Sequence, residues 1–209
     1  MNLFDEIKIY LPKFLSDDSD KKLFEGLKKF PDNIDSRLYT NYLEDAKIVY
    51  QGDGLRDMLV VNLPDRTINE APSIVISNTC DIHLENTRNF SSQVVYAPIF
   101  NLEKYRTVLI KKSSKTDEQI NAHIDAIRKQ EITQIFYLPP LVGKIDESLV
   151  FLDRVYNYPN KLVDRENLKT RRLFTLSDYG AYLFVLKLSI HFTRIQDKVE
   201  RSGIKPESS

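Results

Sequence analysis

The sequence predicts an α+β protein: an antiparallel, barrel-like sheet of short strands, with helices before, within and after it. Three observations predict it. From Ala46 onward, short β-branched and apolar runs alternate with polar loops. Most connections between those runs are short, which favours antiparallel pairing over a doubly wound parallel sheet. Helical periodicity is confined to the first 30 residues, to residues 115–130, and to the stretch from Ser177.

Composition sets the outer bounds. The chain has 209 residues, enough for one full domain with additions. Lys plus Arg (30) balances Asp plus Glu (30), so any nucleic-acid affinity has to come from a local basic patch. The single Cys rules out an internal disulfide and fits a reducing cytosol. The longest apolar run, Tyr182 to Leu186, is interrupted by Lys187, so no membrane span is expected. The acidic residues near the start do not resemble the cationic beginning of a signal peptide. The expectation is a soluble cytoplasmic protein.

Residues 1–45 are expected to form a helical arm. Leu3, Phe4, Ile7, Ile9, Tyr10 and Phe14 make an imperfect apolar face broken at Pro12. Ser16 to Asp20 offers N-caps for a second helix carrying Leu23, Phe24, Leu27 and Phe30. The main domain then spans 46–200. Its expected strands are Lys47–Tyr50, Met58–Leu63, Ser73–Ile76, Gln93–Ile99, Thr107–Ile110, Ile132–Leu138 and Leu149–Leu152. Gln51 to Gly54 marks a turn, and Pro64 to Glu70 reads as a polar loop. Ser73–Ile76 runs straight into Ser77-Asn78-Thr79-Cys80-Asp81, either an active centre or an elaborate turn.

Two helices complete the domain. At 115–130, Ser114 or Thr116 caps an inserted helix with Ile120, Ile124 and Ile127 on one face. At 177–200, Thr175 or Ser177 caps a helix whose broad apolar band includes Leu183, Leu186 and Ile190. That helix packs on the sheet or on a second subunit. Residues 201–209 read as a disordered tail.

Five segments recur in a telling order. They are Gln51-Gly52-Asp53 followed by the strand Met58 to Leu63; Ala71-Pro72 followed by a strand ending in Ser77-Asn78; Val94 to Ile99 with its Pro98-Ile99 step; Ser148 to Val155 with Asp153; and Arg171-Arg172-Leu173 before a helix. From about Lys47 to Phe192 this order resembles the MazF/PemK (Kid) toxin family. The resemblance implies an SH3-like β-barrel with a C-terminal helix, here with added helices. It also implies RNA binding or metal-independent endoribonuclease activity in a toxin–antitoxin or phage-defence setting, an antitoxin-type protein partner, and pairing as a homodimer. The chain departs from the family pattern. The loop Pro64–Ala71 lacks Gly and has Arg66 as its only Arg, out of register, and Phe100 stands where the family has Thr.

RNA cleavage without metal needs a base for the ribose 2′-OH, an acid for the leaving oxygen, and a cation for the phosphate. Asp81 or Asp53 is a candidate base, His83 a candidate acid, and Arg66, Arg56 or Arg88 a candidate phosphate clamp. Asn78, Thr79, Lys104 and Arg106 complete the candidate RNA contacts. In the competing reading, Asp53 and Asp81 accept hydrogen bonds from turn backbone. Cys80 reads as a buried structural thiol, with a thiol-dependent enzyme as the alternative. No metal or other cofactor is expected, since no second Cys/His pair stands at ligand spacing. His123 and His191 read as ordinary helical residues. Aromatic and basic residues interleave at Phe100/Lys104/Tyr105/Arg106 and at Tyr156/Tyr158/Lys161 with Arg171-Arg172, a pattern that suits single-stranded RNA. The rival to an RNA enzyme is an inactive barrel acting as a protein-interaction module.

Overall fold

The computed structural model describes residues 23, 25–43 and 45–193. The helix expected before Leu23, the end of the terminal helix at 194–200 and the tail at 201–209 lie outside the described residues. Eight strands form one antiparallel sheet: β1 Tyr39–Thr40, β2 Gly54–Asn62, β3 Thr67–Val75, β4 Gln93–Asn101, β5 Ile135–Leu138, β6 Ser148–Phe151, β7 Tyr156–Pro159 and β8 Arg172–Leu176. Five helices are numbered here: α1 Thr79–Ile82, α2 Leu102–Lys112, α3 Asp117–Arg128, α4 Leu168–Arg171 and α5 Asp178–Thr193. The strand order is β1-β8-β2-β3-β4-β6-β5, with β7 also paired to β4. The protein is therefore α+β. Among the described residues no helix is long and apolar enough to cross a membrane.

The sheet is open, which corrects the expected barrel: no ladder among the described residues joins β5 to β1. The physical reason lies at the two ends. β1 has only two residues. Near β5, the apolar face of α3 (Ile120, Ile124, Ile127) packs on Ile135, Tyr137 and Leu149. A helix covers that end of the sheet, where closure would need a strand.

α3 begins as its sequence implies. Thr116 accepts from the Gln119 N–H while Gln119 accepts from the Thr116 N–H, a reciprocal capping box. α5 is capped by Ser177, whose hydroxyl accepts from the Gly180 N–H at 3.2 Å. It lays Leu183, Phe184 and Leu188 on the sheet beside Phe136 and Phe174. The segment before the sheet joins this core too. Leu38 and Tyr39 are buried in the same cluster, and Gly180 leaves no room for a Cβ against the Leu38 carbonyl.

Three local expectations fail for identifiable reasons. Thr107–Ile110 is helical, inside α2. Asn101 caps that helix through the Lys104 N–H, Glu103 sits in its first turn, and Lys111 and Lys112 sit in its last. These end signals outweigh four residues of β propensity. Lys47–Tyr50 is not a strand but leads into the turn that buries Asp53. The polar loop Pro64–Glu70 is a hairpin turn followed by the first half of β3, paired Asn62↔Thr67 to Leu59↔Glu70. Residues 67–70 are exposed, so no alternation marks the strand.

That hairpin positions the site. β2 pairs with β8 only at Gly54 and Leu55, and β3 pairs with β4 only at Ser73–Val75. Beyond those rungs the two strands pair only with each other; Met58 still packs in the core and the Tyr96 hydroxyl donates to the Leu59 carbonyl, and the outer end, exposed over residues 61–70, projects as a ribbon. On the other flank, β6 and β7 follow one another along β4, and residues 152–155 between them leave the ladder.

Candidate nucleic-acid interface

The residues singled out by sequence do not share one cleft. Asp53 is fully buried. Its carboxylate accepts from Arg172 Nε at 3.1 Å and Nη2 at 3.0 Å, from the Thr175 hydroxyl at 2.6 Å and from the Tyr50 N–H at 2.9 Å. Arg172 also donates to the carbonyls of Ala46 and Ile48. Burial raises the Asp53 carboxyl above its ordinary value, and Arg172 and the hydrogen bonds pull it back. A buried, saturated carboxylate cannot reach a ribose hydroxyl, so Asp53 is removed as a catalytic base and anchors the turn to β8.

Asp81 lies on the surface of α1 in an ion pair with Arg88. His83 Nδ1 accepts from the Glu85 N–H at 3.3 Å. Asn78 caps α1 through the Cys80 N–H, and the Thr79 hydroxyl accepts from the Gln51 N–H. Cys80 is exposed, which corrects the buried-thiol expectation. Arg66 sits at the tip of the hairpin with a φ of 56°. The strand from Gly54 to Asn62 has nine residues, which puts that tip about 25 Å from the turn holding Asp53. The α1 cluster contacts the same turn through Gln51. Arg66 therefore cannot clamp a phosphate held near Asp81. Arg106 pairs with Glu103 and donates to Asn121 on α3.

Arg56 and Lys104 do come together, on a groove between the projecting hairpin and α2. Two cavities, about 410 Å³ and about 660 Å³, share Ala71, Pro72, Ile99, Asn101 and Lys104 as walls. The smaller carries Arg56, Asp57, Glu70, Lys144 and Asp146. The larger carries Phe100, Tyr105, Phe151, Arg154 and Tyr156.

Local backbone explains both halves. A register shift in β2 between Leu55 and Met58 places Arg56 and Asp57 outside the ladder. Asp57 adopts a φ of 58°. Arg171 donates to the carbonyls of both residues at 3.1 Å and holds the bulge. In the other half, Asn101 ends β4 and caps α2, so Phe100, Lys104 and Tyr105 follow in one bend. Phe100 and Tyr105 each meet Phe151 edge-on, at 5.5 and 5.7 Å. The break between β6 and β7 releases Arg154, whose guanidinium lies 4.2 Å over the Phe151 ring and 5.5 Å from that of Phe100.

The charges around this groove are unspent. Among the described residues, Arg56, Asp57, Glu70, Lys104, Lys144, Asp146 and Arg154 form no ion pair. The aromatic half holds two cations, Lys104 and Arg154, and no acid. The other half mixes three acids with three cations. No group of three or more His, Cys, Asp or Glu among the described residues is placed to hold a metal ion.

Of the two aromatic–basic stretches marked in the sequence, the fold joins Phe100, Lys104, Tyr105 and Tyr156, whereas Arg106, Tyr158, Lys161, Arg171 and Arg172 do not line the groove. Sequence reasoning missed Arg154, Asp57, Glu70 and Lys144. Arg154 had a weak signal, a charged pair breaking an apolar run. The other three had none, because only the hairpin's projection and the β2 bulge give them a common cavity. No family model matches this sequence, and neither does any curated protein.

Proposed function

We propose that this groove binds single-stranded RNA and that the protein is a divergent relative of MazF/PemK-type toxins. One observation carries the reading: Phe100, Lys104 and Tyr105 meet Tyr156, more than 50 residues further along the sequence, on one groove, with the Arg154 guanidinium, which forms no ion pair among the described residues, stacked on the Phe151 ring. Unstacked bases take the aromatic faces, while Lys104 and Arg154 take phosphates. A stacked guanidinium keeps its in-plane N–H donors free for phosphate oxygens. The family reading is supported by the five matched segments, which fall in order on the β2 region, β3, β4, β6 and β8 with α5. It carries with it a toxin–antitoxin or phage-defence role in the cytoplasm, and an antitoxin or a second copy as partner.

The mixed-charge half supplies the groups for metal-independent cleavage. Glu70 or Asp57 takes the 2′-OH proton, and the freed oxygen attacks the adjacent phosphorus. The 5′-oxygen leaves with a proton from Lys104 or Lys144, and Arg56 steadies the phosphoryl oxygens. The products are a 2′,3′-cyclic phosphate and a 5′-hydroxyl end.

End-labelled single-stranded RNA and full-length protein in EDTA test this reading. Expected are binding that weakens steeply with salt and cleavage that a 2′-deoxy substitution at the scissile position abolishes. Absence of salt-sensitive binding sinks the proposal; binding without cleavage leaves an RNA-binding protein and removes the catalytic assignment. A second reading, a non-catalytic protein-interaction module, is favoured by the projecting hairpin, which exposes Leu63 by 79% and Ile68 by 65%. A partner that co-purifies stoichiometrically with protein lacking RNA affinity is its signature.

A further inference from the structure

A third cavity, which shares no described wall residue with the groove, lies where α5 passes the end of α3. Lys187 on α5 is only 8% exposed. Its ammonium donates to the main-chain carbonyl of Gln130, just beyond α3. Gln130 itself is fixed, with its side-chain amide bonded to both the carbonyl and the N–H of Tyr137, at 2.8 and 3.0 Å. An ammonium has three donors, and among the described residues only this one bond is made. No carboxylate among them lies within ion-pair distance of Lys187. Burial pulls its amine down to about 8.

Lys187 and Gln130 line a cavity of about 270 Å³ whose other walls include Phe30, Phe136, Leu183, Leu186 and Ile190. Among the described residues, Glu131 is the only other titratable side chain on the wall. A buried cation beside an apolar space, with no carboxylate among the described residues within ion-pair distance, is an arrangement that an incoming anion completes.

We propose that this cavity binds a small amphipathic monocarboxylate, with its carboxylate on Lys187 and its hydrocarbon against the aliphatic and phenyl walls. The volume falls just under that of drug-sized pockets and suits a ligand of about ten non-hydrogen atoms. An eight-carbon fatty acid meets both requirements. The site is independent of the RNA groove, and its ligand is recognised by charge and apolar length together.

Calorimetric titration of the full-length chain with octanoate and with 1-octanol tests the assignment. Octanoate is expected to bind at least tenfold more tightly than 1-octanol at pH 7. Lys187→Met, which keeps the side-chain length and removes the buried charge, is expected to abolish that preference and retain octanol binding. A proton-uptake measurement needs no variant. Octanoate binding at pH 8.5, repeated in buffers of different ionisation enthalpy, is expected to draw a proton onto Lys187, and at pH 6 to draw none. Failure of octanoate to bind, equal affinity for acid and alcohol, unchanged octanoate affinity in Lys187→Met, or no proton uptake at pH 8.5 each overturns the proposal.

Discussion

Asp53 and Asp57 lie four residues apart, at opposite ends of the short segment that enters β2, and they live in different chemistry. Around Asp53 every described polar group has a partner: two guanidinium nitrogens, one hydroxyl and one backbone N–H converge on one carboxylate. Around Asp57 the bulge is held through backbone carbonyls, and the residue lines an open cavity together with cations that form no ion pair among the described residues. The residue types are the same. What differs is whether folding has already used their charge. A carboxylate saturated by its own chain holds strands together, whereas charges left unpaired around a cavity remain free for a ligand.

The largest expected effect falls on Asp53. Asp53→Ala strips Arg172 of its buried counter-ion and is expected to cost about 3–5 kcal/mol of stability by urea denaturation. Below its lowered melting point the variant is expected to bind RNA as the native chain does. A loss under about 1 kcal/mol would mean that the cluster is less closed than its hydrogen bonds indicate.

Lys187 sits between the two cases, buried like Asp53 and, among the described residues, without a counter-ion like the groove cations. Its folded pKa of about 8 lies below the ordinary 10.5. Between those values the unfolded chain holds a proton that the folded chain has released, so this group makes stability rise with pH across that window. Below about pH 8 both states are protonated and the cost of burying the charge is fully present. The stability of Lys187→Met relative to the native protein is therefore expected to be most favourable below pH 8. That advantage should shrink by about 3 kcal/mol by pH 10.5. Taking the difference cancels the contribution of Tyr39 and Tyr137, whose buried hydroxyls are raised. A difference that does not vary with pH would place Lys187 in solvent.

The groove predicts the reverse of Asp53, a large functional effect with a small structural one. Arg154→Ala is expected to weaken RNA binding by about tenfold and reduce the salt slope by about one. The stability change should stay under about 1 kcal/mol, the scale of an exposed cation–π contact. Lys104→Ala is expected to behave alike, and a double variant tests whether both serve one strand.

How much of this was legible follows the same division. α3 was readable to within two residues at each end because the Thr116 cap and three isoleucines at helical spacing agree. Ser73–Val75 was readable because Ile74 and Val75 begin a β-branched run, and all three residues are buried. The outer half of β3 was not, because a strand exposed on both faces carries no period. α2 was misread over Thr107–Ile110 because its apolar residues suit either state, and the end signals decide: the Asn101 cap, Glu103, Lys111 and Lys112. At the site, local chemistry picked out Lys104 and Tyr105, which follow Phe100 in sequence. It could not pick out Glu70 with Arg56, because their proximity depends on the hairpin register, a long-range fact. It also overvalued Asp53, since a Gly-Asp turn looks the same whether its carboxylate faces solvent or an arginine 119 residues away.

The smallest expected effect falls on Asp81, and it discriminates most sharply between the two candidate centres. Asp81 and Arg88 form an ion pair with side chains 58% and 46% exposed. Pairs of this kind contribute about 0.2–1 kcal/mol, screened further by salt. Asp81→Ala is therefore expected to shift the urea midpoint barely, and to leave RNA affinity and any cleavage unchanged. Glu70→Gln is expected to retain binding and lose cleavage, since it keeps the side chain's shape and removes only the proton acceptor. If the outcome is inverted, with Asp81→Ala abolishing cleavage and Glu70→Gln sparing it, the reacting phosphate lies against α1 and not in the groove. The groove would then only position the strand for a centre built from Asp81, His83 and Arg88.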